Sequence, residues 1–222
     1  MRRAAAALLA FAFAVLPARA GAQTPQPTPA ALPVRASQVV LDNGVVKLTL
    51  SFRDVVDTEI AKKLANGLPT VVTMRGYLYQ ESGGSPIALT ARSCRVVKDI
   101  WDEVFSIQLV QPGGVSDTAA ANMEGVLRNC CDAKKLPLAD RALLKTGVRY
   151  FVATFVEVNP VSQAILDQIK LWVTRPSGSN AIGPGALLLG SFVGLFVARI
   201  GDADRKLAFR TQGFLPPPEA PP

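Results

Sequence analysis

The sequence predicts an α+β fold, with a mainly antiparallel sheet covered by several helices in a single compact domain. Strand-like and helix-like segments follow one another in mixed order, without the regular alternation that builds a parallel sheet. Turn signals such as Asn43-Gly44 connect consecutive strand-like segments. The composition, 49% hydrophobic and 18% charged, is that of a chain that folds.

Six segments have the composition and spacing of strands. The clearest covers 45–52, where Val46, Leu48 and Leu50 alternate with polar residues. The most apolar covers 148–158 and has apolar residues on both faces, which predicts a central place in the sheet. The other four segments are 70–80, 87–98, 103–110 and 207–214.

Four segments have helical spacing, and most of them begin with a residue that caps helices well. Asp57 or Thr58 caps the first segment, and Ser116-Asp117 caps the second. The predicted helices end at about Asn66, Cys131, Thr146 and Val173, and the last two begin at Ala139 and Ser162.

The two ends of the chain are predicted to lie outside the domain. Residues 1–22 have the parts of a secretory signal peptide: Arg2 and Arg3, an apolar run over 4–16, and small residues at cleavage spacing. We therefore expect a periplasmic or secreted protein. The remaining divisions are a Pro-rich linker over 23–36, the folded domain over 37–215 and a disordered Pro-rich tail over 216–222.

The charge does not indicate a nucleic-acid partner. The formal net charge is +7, and removal of the signal peptide with Arg2, Arg3 and Arg19 lowers it to +4. The other basic residues lie in separate pairs near acidic ones, whereas a nucleic-acid footprint is a concentrated basic stripe.

The segment 181–198 is uncharged over its whole length, so it is a candidate for membrane association. Pro184 lies near its beginning, and the helix after it would be about 21 Å long against roughly 30 Å of hydrocarbon. We therefore favour a helix buried on the sheet. A membrane-associated structural protein anchored through 181–198 is the alternative.

Several kinds of chemistry are excluded because the chain has no His and only three Cys. Ser-His-Asp triads, Cys-His pairs, His-ligated metals and Cys₄ zinc sites all need residues that are absent. The sequence predicts no enzymatic activity and no cofactor. A hydrolase built on the carboxylates of Asp99, Asp102 and Glu103 is a second alternative.

The acidic segment around Trp101 is the best candidate for a docking surface, which we assign to Trp101, Asp102 and Glu103. A tryptophan in an acidic turn is a suitable anchor for a partner protein. Surface charges and core packing of the ring are the alternatives.

Cys94, Cys130 and Cys131 allow one disulfide in an oxidising compartment. Cys94 lies on a strand face with Val96, and Cys130 lies on a helix stripe with Leu127. If that helix packs on that sheet, a Cys94–Cys130 bridge is reasonable. A bridge to Cys131 and three reduced, buried thiols are the alternatives.

Several segments resemble a family of small exported Gram-negative bacterial proteins, a domain of unknown function. They are ANGLP (65–69), VKDIWDE (97–103), YFVATFVEVNPVS (150–162), IKLW (169–172), 190–196 and 205–210. The resemblance implies export and a β-rich domain with helices, and it implies no site residue. We expect a non-enzymatic accessory or binding domain whose ligand is an envelope protein or an apolar molecule.

Overall fold

A computed structural model of the protein describes residues 28–160 and 203–218. Within these residues 51% lie in strands and 17% in helices, including short 3₁₀ turns. The predicted α+β fold class is therefore wrong. The described part of the chain is mostly β, with a large mixed sheet and two α-helices instead of a sheet covered by several helices.

Ten strands and two α-helices lie in the described residues. The strands are β1 (Val34–Arg35), β2 (Gln38–Asp42), β3 (Val45–Ser51), β4 (Thr70–Gln80), β5 (Ala88–Lys98), β6 (Phe105–Gln111), β7 (Gly114–Ala120), β8 (Asp132–Asp140), β9 (Tyr150–Val158) and β10 (Arg205–Thr211). The helices are α1 (Thr58–Ala65) and α2 (Met123–Cys130).

The strands form two sheets. The larger one has seven strands in the order β1-β10-β9-β4-β5-β6-β7, and the smaller one has the order β2-β3-β8. All neighbouring strands are antiparallel except β1, which runs parallel to β10. The predicted strand at 148–158 becomes β9, which lies inside the large sheet between β10 and β4.

Local sequence signals account for several of these elements. Asn43 and Gly44 adopt left-handed backbone angles, with φ of 53° and 73°, and form the tight turn between β2 and β3. The Asp57 carboxylate accepts a hydrogen bond from the Ile60 N–H at 3.0 Å, which caps the beginning of α1 as predicted.

Two predicted helices are only partly helical in the structure, which contributes to the wrong fold class. The beginning of the predicted helix 116–131 lies in β7 and only Met123–Cys130 is α-helical, and the predicted helix 139–146 is reduced to a 3₁₀ turn at Arg141–Leu143. Residues 114–120 pair with β6 in unbroken register, so Ser116 and Asp117 lie within β7, and Asn122 caps the shorter helix α2. Strand pairing here outweighs the local capping signal. Residues 132–140 form β8, in which Pro137 and a bulge near Lys135 hide the strand pattern.

The main core lies between the two sheets, and both helices contribute to it. Its largest fully buried side chains include Phe52, Leu48, Leu64, Met74 and Phe209. A smaller apolar cluster occupies the opposite face of the large sheet and consists of Leu32, Tyr77, Tyr79, Phe151 and Ala153. The large sheet therefore buries side chains on both faces.

Helix α2 approaches the end of β7 so closely that only glycine fits at position 125. A Cβ atom on Gly125 would lie 2.8 Å from Ala120 Cβ, closer than real side chains pack. We expect Gly125→Ala to lower the free energy of unfolding by about 1–3 kcal/mol, although alanine normally favours a helix. Urea unfolding measures this, and adding Ala120→Gly should recover part of the loss. An unchanged or higher stability of Gly125→Ala would contradict the close approach.

Other predictions fall outside the described residues. These are the signal peptide 1–22, the helix 162–173 and the apolar segment 181–198. Neither helix in the described part is long and apolar enough to cross a membrane. The predicted linker is described only from residue 28, and there Leu32 is buried and β1 joins the large sheet, so these residues belong to the fold.

Candidate docking surface

The turn between β5 and β6 carries the predicted docking residues. The Asp99 N–H donates to the Val104 carbonyl at 2.8 Å, which closes the turn. The Asp99 carboxylate accepts hydrogen bonds from the N–H groups of Trp101 at 2.8 Å and Asp102 at 3.2 Å. Glu103 takes a left-handed conformation with φ of 54°. Asp99 therefore shapes the turn that presents the residues after it.

Trp101 is 87% exposed, the highest value among the large hydrophobic residues that the structure describes as exposed. Ile100 is 59% exposed and lies beside Gly67 at the junction of α1 and β4. The next residue along that junction, Leu68, is 53% exposed. We call Leu68, Ile100 and Trp101 the Trp101 patch. The patch combines two segments that are about thirty residues apart in the sequence.

A side-chain hydrogen bond and a close backbone approach also join the junction to the turn. Lys98 Nζ donates to the Ala65 carbonyl at 3.5 Å, and a Cβ atom on Gly67 would lie 3.5 Å from the Lys98 carbonyl oxygen. Gly67 has φ of 80°, a conformation that favours glycine at the end of a helix. The left-handed residue turns the chain out of α1, and Gly67 itself lies beside Ile100 of the β5–β6 turn.

The acidic side chains border the Trp101 patch. Asp102 and Glu103 are exposed, and neither forms an ion pair with another described residue. This arrangement suits a docking surface better than a hydrolytic centre, because the Asp99 carboxylate is held by backbone N–H groups. Catalytic carboxylates act in clefts that orient a substrate, whereas these residues lie on an exposed turn.

Two grooves occur elsewhere on the described surface. One has a volume of about 620 Å³ and is lined by β5, β6 and β7, with Arg95, Gln108 and Asp117 among its side chains. The other, about 560 Å³, is lined by β3, β8 and neighbouring residues, including Ser51 and Asp132. Among the described residues, no three Cys, Asp or Glu side chains are grouped so that they could hold a metal ion.

Cys94 and Cys130 are joined by a disulfide in the structure, with their Cα atoms 5.4 Å apart. The bond ties the end of α2 to β5, which is one of the two strands joined by the turn that carries Trp101. Cys131 is a free, fully buried thiol, and burial raises its pKa to about 12. Such a thiol is a poor nucleophile because its thiolate form is scarce near neutral pH.

Arg92 supports the same end of α2 from inside the protein. Its guanidinium donates to the Asn129 carbonyl at 2.7 Å and to the Asp132 carbonyl at 2.9 Å. Burial lowers the pKa of Arg92 to about 10, so the group remains charged at neutral pH. A cation at the carboxyl end of a helix satisfies carbonyl groups that have no partner within the helix.

A buried ion pair in the large sheet is a feature that sequence reasoning missed. Arg75 Nη2 in β4 lies 2.9 Å from Glu157 Oε2 in β9, and the two side chains are only 5% and 1% exposed. Tyr77 lies next to this pair, and burial raises its pKa. The sequence signal for the pair is a single acidic residue within the most apolar strand.

No family model, no curated protein and no solved structure matches this chain. The resemblance to exported Gram-negative proteins therefore stays a prediction. Its first two segments, 65–69 and 97–103, are the two that meet at the Trp101 patch.

Proposed function

We propose that the protein is an exported, non-enzymatic domain of the periplasm or envelope that binds a partner protein through the Trp101 patch. The observation that supports this proposal is the exposure of Trp101, 87%, on a turn held by side-chain hydrogen bonds. Tryptophan is enriched at the centres of protein interfaces, where burying its large ring contributes much of the affinity.

The turn is well suited to present an anchor, because its backbone is already ordered. Asp99 fixes its first half, and the ladder between β5 and β6 continues from it without a register shift. Binding at an ordered turn costs less conformational entropy than binding at a flexible loop. The disulfide that holds α2 to β5 adds to this rigidity.

The charges around the patch indicate the chemistry of the partner. Asp102 and Glu103 are exposed beside Trp101 and form no ion pair among the described residues. A partner with an apolar pocket bordered by Lys or Arg side chains would match both the ring and the two carboxylates. An apolar small molecule would not make use of these charges.

Export is supported by two independent features. The sequence of residues 1–22 has the composition of a signal peptide. The pairing of Cys94 with Cys130 suits an oxidising compartment, where disulfides persist.

Photo-crosslinking in intact cells tests the proposal. A photoreactive amino acid at position 101 should give one defined crosslinked species. The same amino acid in place of Leu215, which is 53% exposed, should not. Once the partner protein in that species is identified and purified, Trp101→Ala should weaken the affinity of this protein for the partner by about 2 kcal/mol or more, roughly thirtyfold.

The matched control is Leu215→Ala, which replaces a residue as exposed as Leu68 and should leave binding unchanged. Trp101→Ala should change the free energy of unfolding by less than about 0.5 kcal/mol, because the ring is at the surface. Equal crosslinking at positions 101 and 215, or unchanged affinity of Trp101→Ala, would reject the proposed docking surface.

A further inference from the structure

The outer face of the large sheet, which points away from the main core, is buried along β4 and β9. Strand alternation puts Arg75, Tyr77 and Tyr79 of β4 on this face. It puts Phe151 and Glu157 of β9 there as well. None of these five residues is more than 7% exposed. Large side chains on the face of an open sheet are buried to this extent only where something packs on them.

The same face is uncovered on the other side of the sheet, at β6 and β7. There the outward residues Ser106 and Gln108 are exposed, and Val115 is 61% exposed. The two regions belong to one continuous sheet, so the sheet alone does not bury its outer face. A cover therefore lies over β4 and β9 and stops short of β7.

The described residues do not supply this cover. Both α-helices contribute to the main core on the opposite face. In the apolar cluster on the outer face, Leu32 is the only described member that lies outside the strands of the large sheet. The buried stretch of β4 extends from Thr73 to Tyr79, about 20 Å at the rise of a strand, which is too long for one leucine side chain.

The connection between β9 and β10 is long enough to supply the cover. Val158 at the end of β9 pairs with Arg205 at the beginning of β10, and the Asp204 N–H donates to the Val158 carbonyl at 3.0 Å. Strands paired to their ends need only about two to five residues to connect them, yet residues 161–202 lie between these two. The connection leaves and returns directly beside Glu157, at one end of the buried stretch.

We propose that residues 161–202 of this chain cover the outer face of the large sheet at β4 and β9. Their composition suits that face, because 181–198 is uncharged and its apolar residues would bury surface against Tyr77 and Phe151. The buried Glu157 Oε1 has no hydrogen-bond partner among the described residues, and a donor from the segment would satisfy it.

The other parts of the chain outside the described residues are poor candidates. Residues 1–22 are the predicted signal peptide, and 23–27 are too few to cover the stretch. Residues 219–222 follow a tail that lies near the smaller sheet, where Arg141, just after β8, donates from Nε to the Pro217 carbonyl at 2.9 Å. With the chain's own segment on it, the outer face is closed to an apolar ligand.

Intramolecular photo-crosslinking in the purified full chain tests the inference. A photoreactive phenylalanine derivative replaces Phe155, which is half-buried on the outer face of β9, and crosslinked peptides are mapped by mass spectrometry. We expect a product with the mass of one chain, in which position 155 is joined to a peptide within 161–202. Val115, on the uncovered part of the same face, is the matched control and should give no crosslink to 161–202.

Leu89 provides a second position, which keeps the test valid if the protein with a substituted Phe155 does not fold. It is half-buried on the outer face of β5, opposite Tyr77. Thermal unfolding shows which substituted proteins are folded. Crosslinks from positions 155 and 89 that join two chains, reach only residues 28–160 and 203–218, or fail to form in folded protein would overturn the inference. Equal crosslinking of position 115 to 161–202 would contradict the limit of the cover.

Discussion

Replacing Glu157 with leucine is expected to lower the free energy of unfolding by about 3–5 kcal/mol. The Arg75 guanidinium is 5% exposed and lies 2.9 Å from the Glu157 carboxylate. Removing the carboxylate leaves a positive charge inside the large sheet without this counterion. The cost of an uncompensated buried charge exceeds what the added apolar side chain contributes. Urea unfolding followed by tryptophan fluorescence measures the change.

The double variant Arg75→Met/Glu157→Leu separates the charge effect from packing. Both charges are then replaced by apolar side chains of similar size, so we expect a stability within about 1–2 kcal/mol of the wild type. The double-mutant cycle gives the coupling between the two side chains. If Glu157→Leu alone lowers the free energy of unfolding by less than about 1 kcal/mol, the Glu157 carboxylate does not stabilise the buried Arg75 charge as proposed.

The second large effect is expected for the disulfide. Cys94→Ala/Cys130→Ala should lower the free energy of unfolding by about 4 kcal/mol, because the bond closes a loop in the unfolded chain and so reduces its entropy. The two cysteines are 36 residues apart in the sequence. The released end of α2 would still be held by the hydrogen bonds of Arg92.

Cys131→Ala is the matched control because it removes a neighbouring buried thiol that forms no disulfide. It should cost only the loss of a small buried group, about 1 kcal/mol. Both variants and the wild type are compared in denaturant without reductant. Adding reductant to the wild type should reproduce the loss of the double variant. A stability that does not respond to reductant would show that the bond contributes little.

The sequence predicts those elements that are defined by local patterns. The strand-like composition of 70–80 predicts a strand, and β4 occupies Thr70–Gln80. The capping residue Asp57 predicts α1 in the same way. The fold class fails where pairing between distant segments decides the structure. Residues 114–120 contain a helix cap signal, and they become β7 because β6 offers them a complete ladder of hydrogen bonds.

The candidate site is predictable only in part, for the same reason. Trp101 stands out because an aromatic residue among acidic residues has no place in a strand pattern. Leu68 does not stand out, since only the fold brings the end of α1 beside the β5–β6 turn. Arg75 and Glu157 are 82 residues apart in the sequence and meet through the register of β4 with β9, which no local pattern specifies.

The pairing of β1 with β10 has a consequence for the order of assembly. Val34 and Arg35 lie beside Arg210 and Thr211, and the Arg210 N–H bonds to the Pro33 carbonyl. Phe209, fully buried in the main core, comes from this last strand. Because a chain is synthesised from its amino end, β1 can pair with β10 only after residues 205–211 have been made. Folding is therefore expected to be slow and to be completed only after the last strand is available.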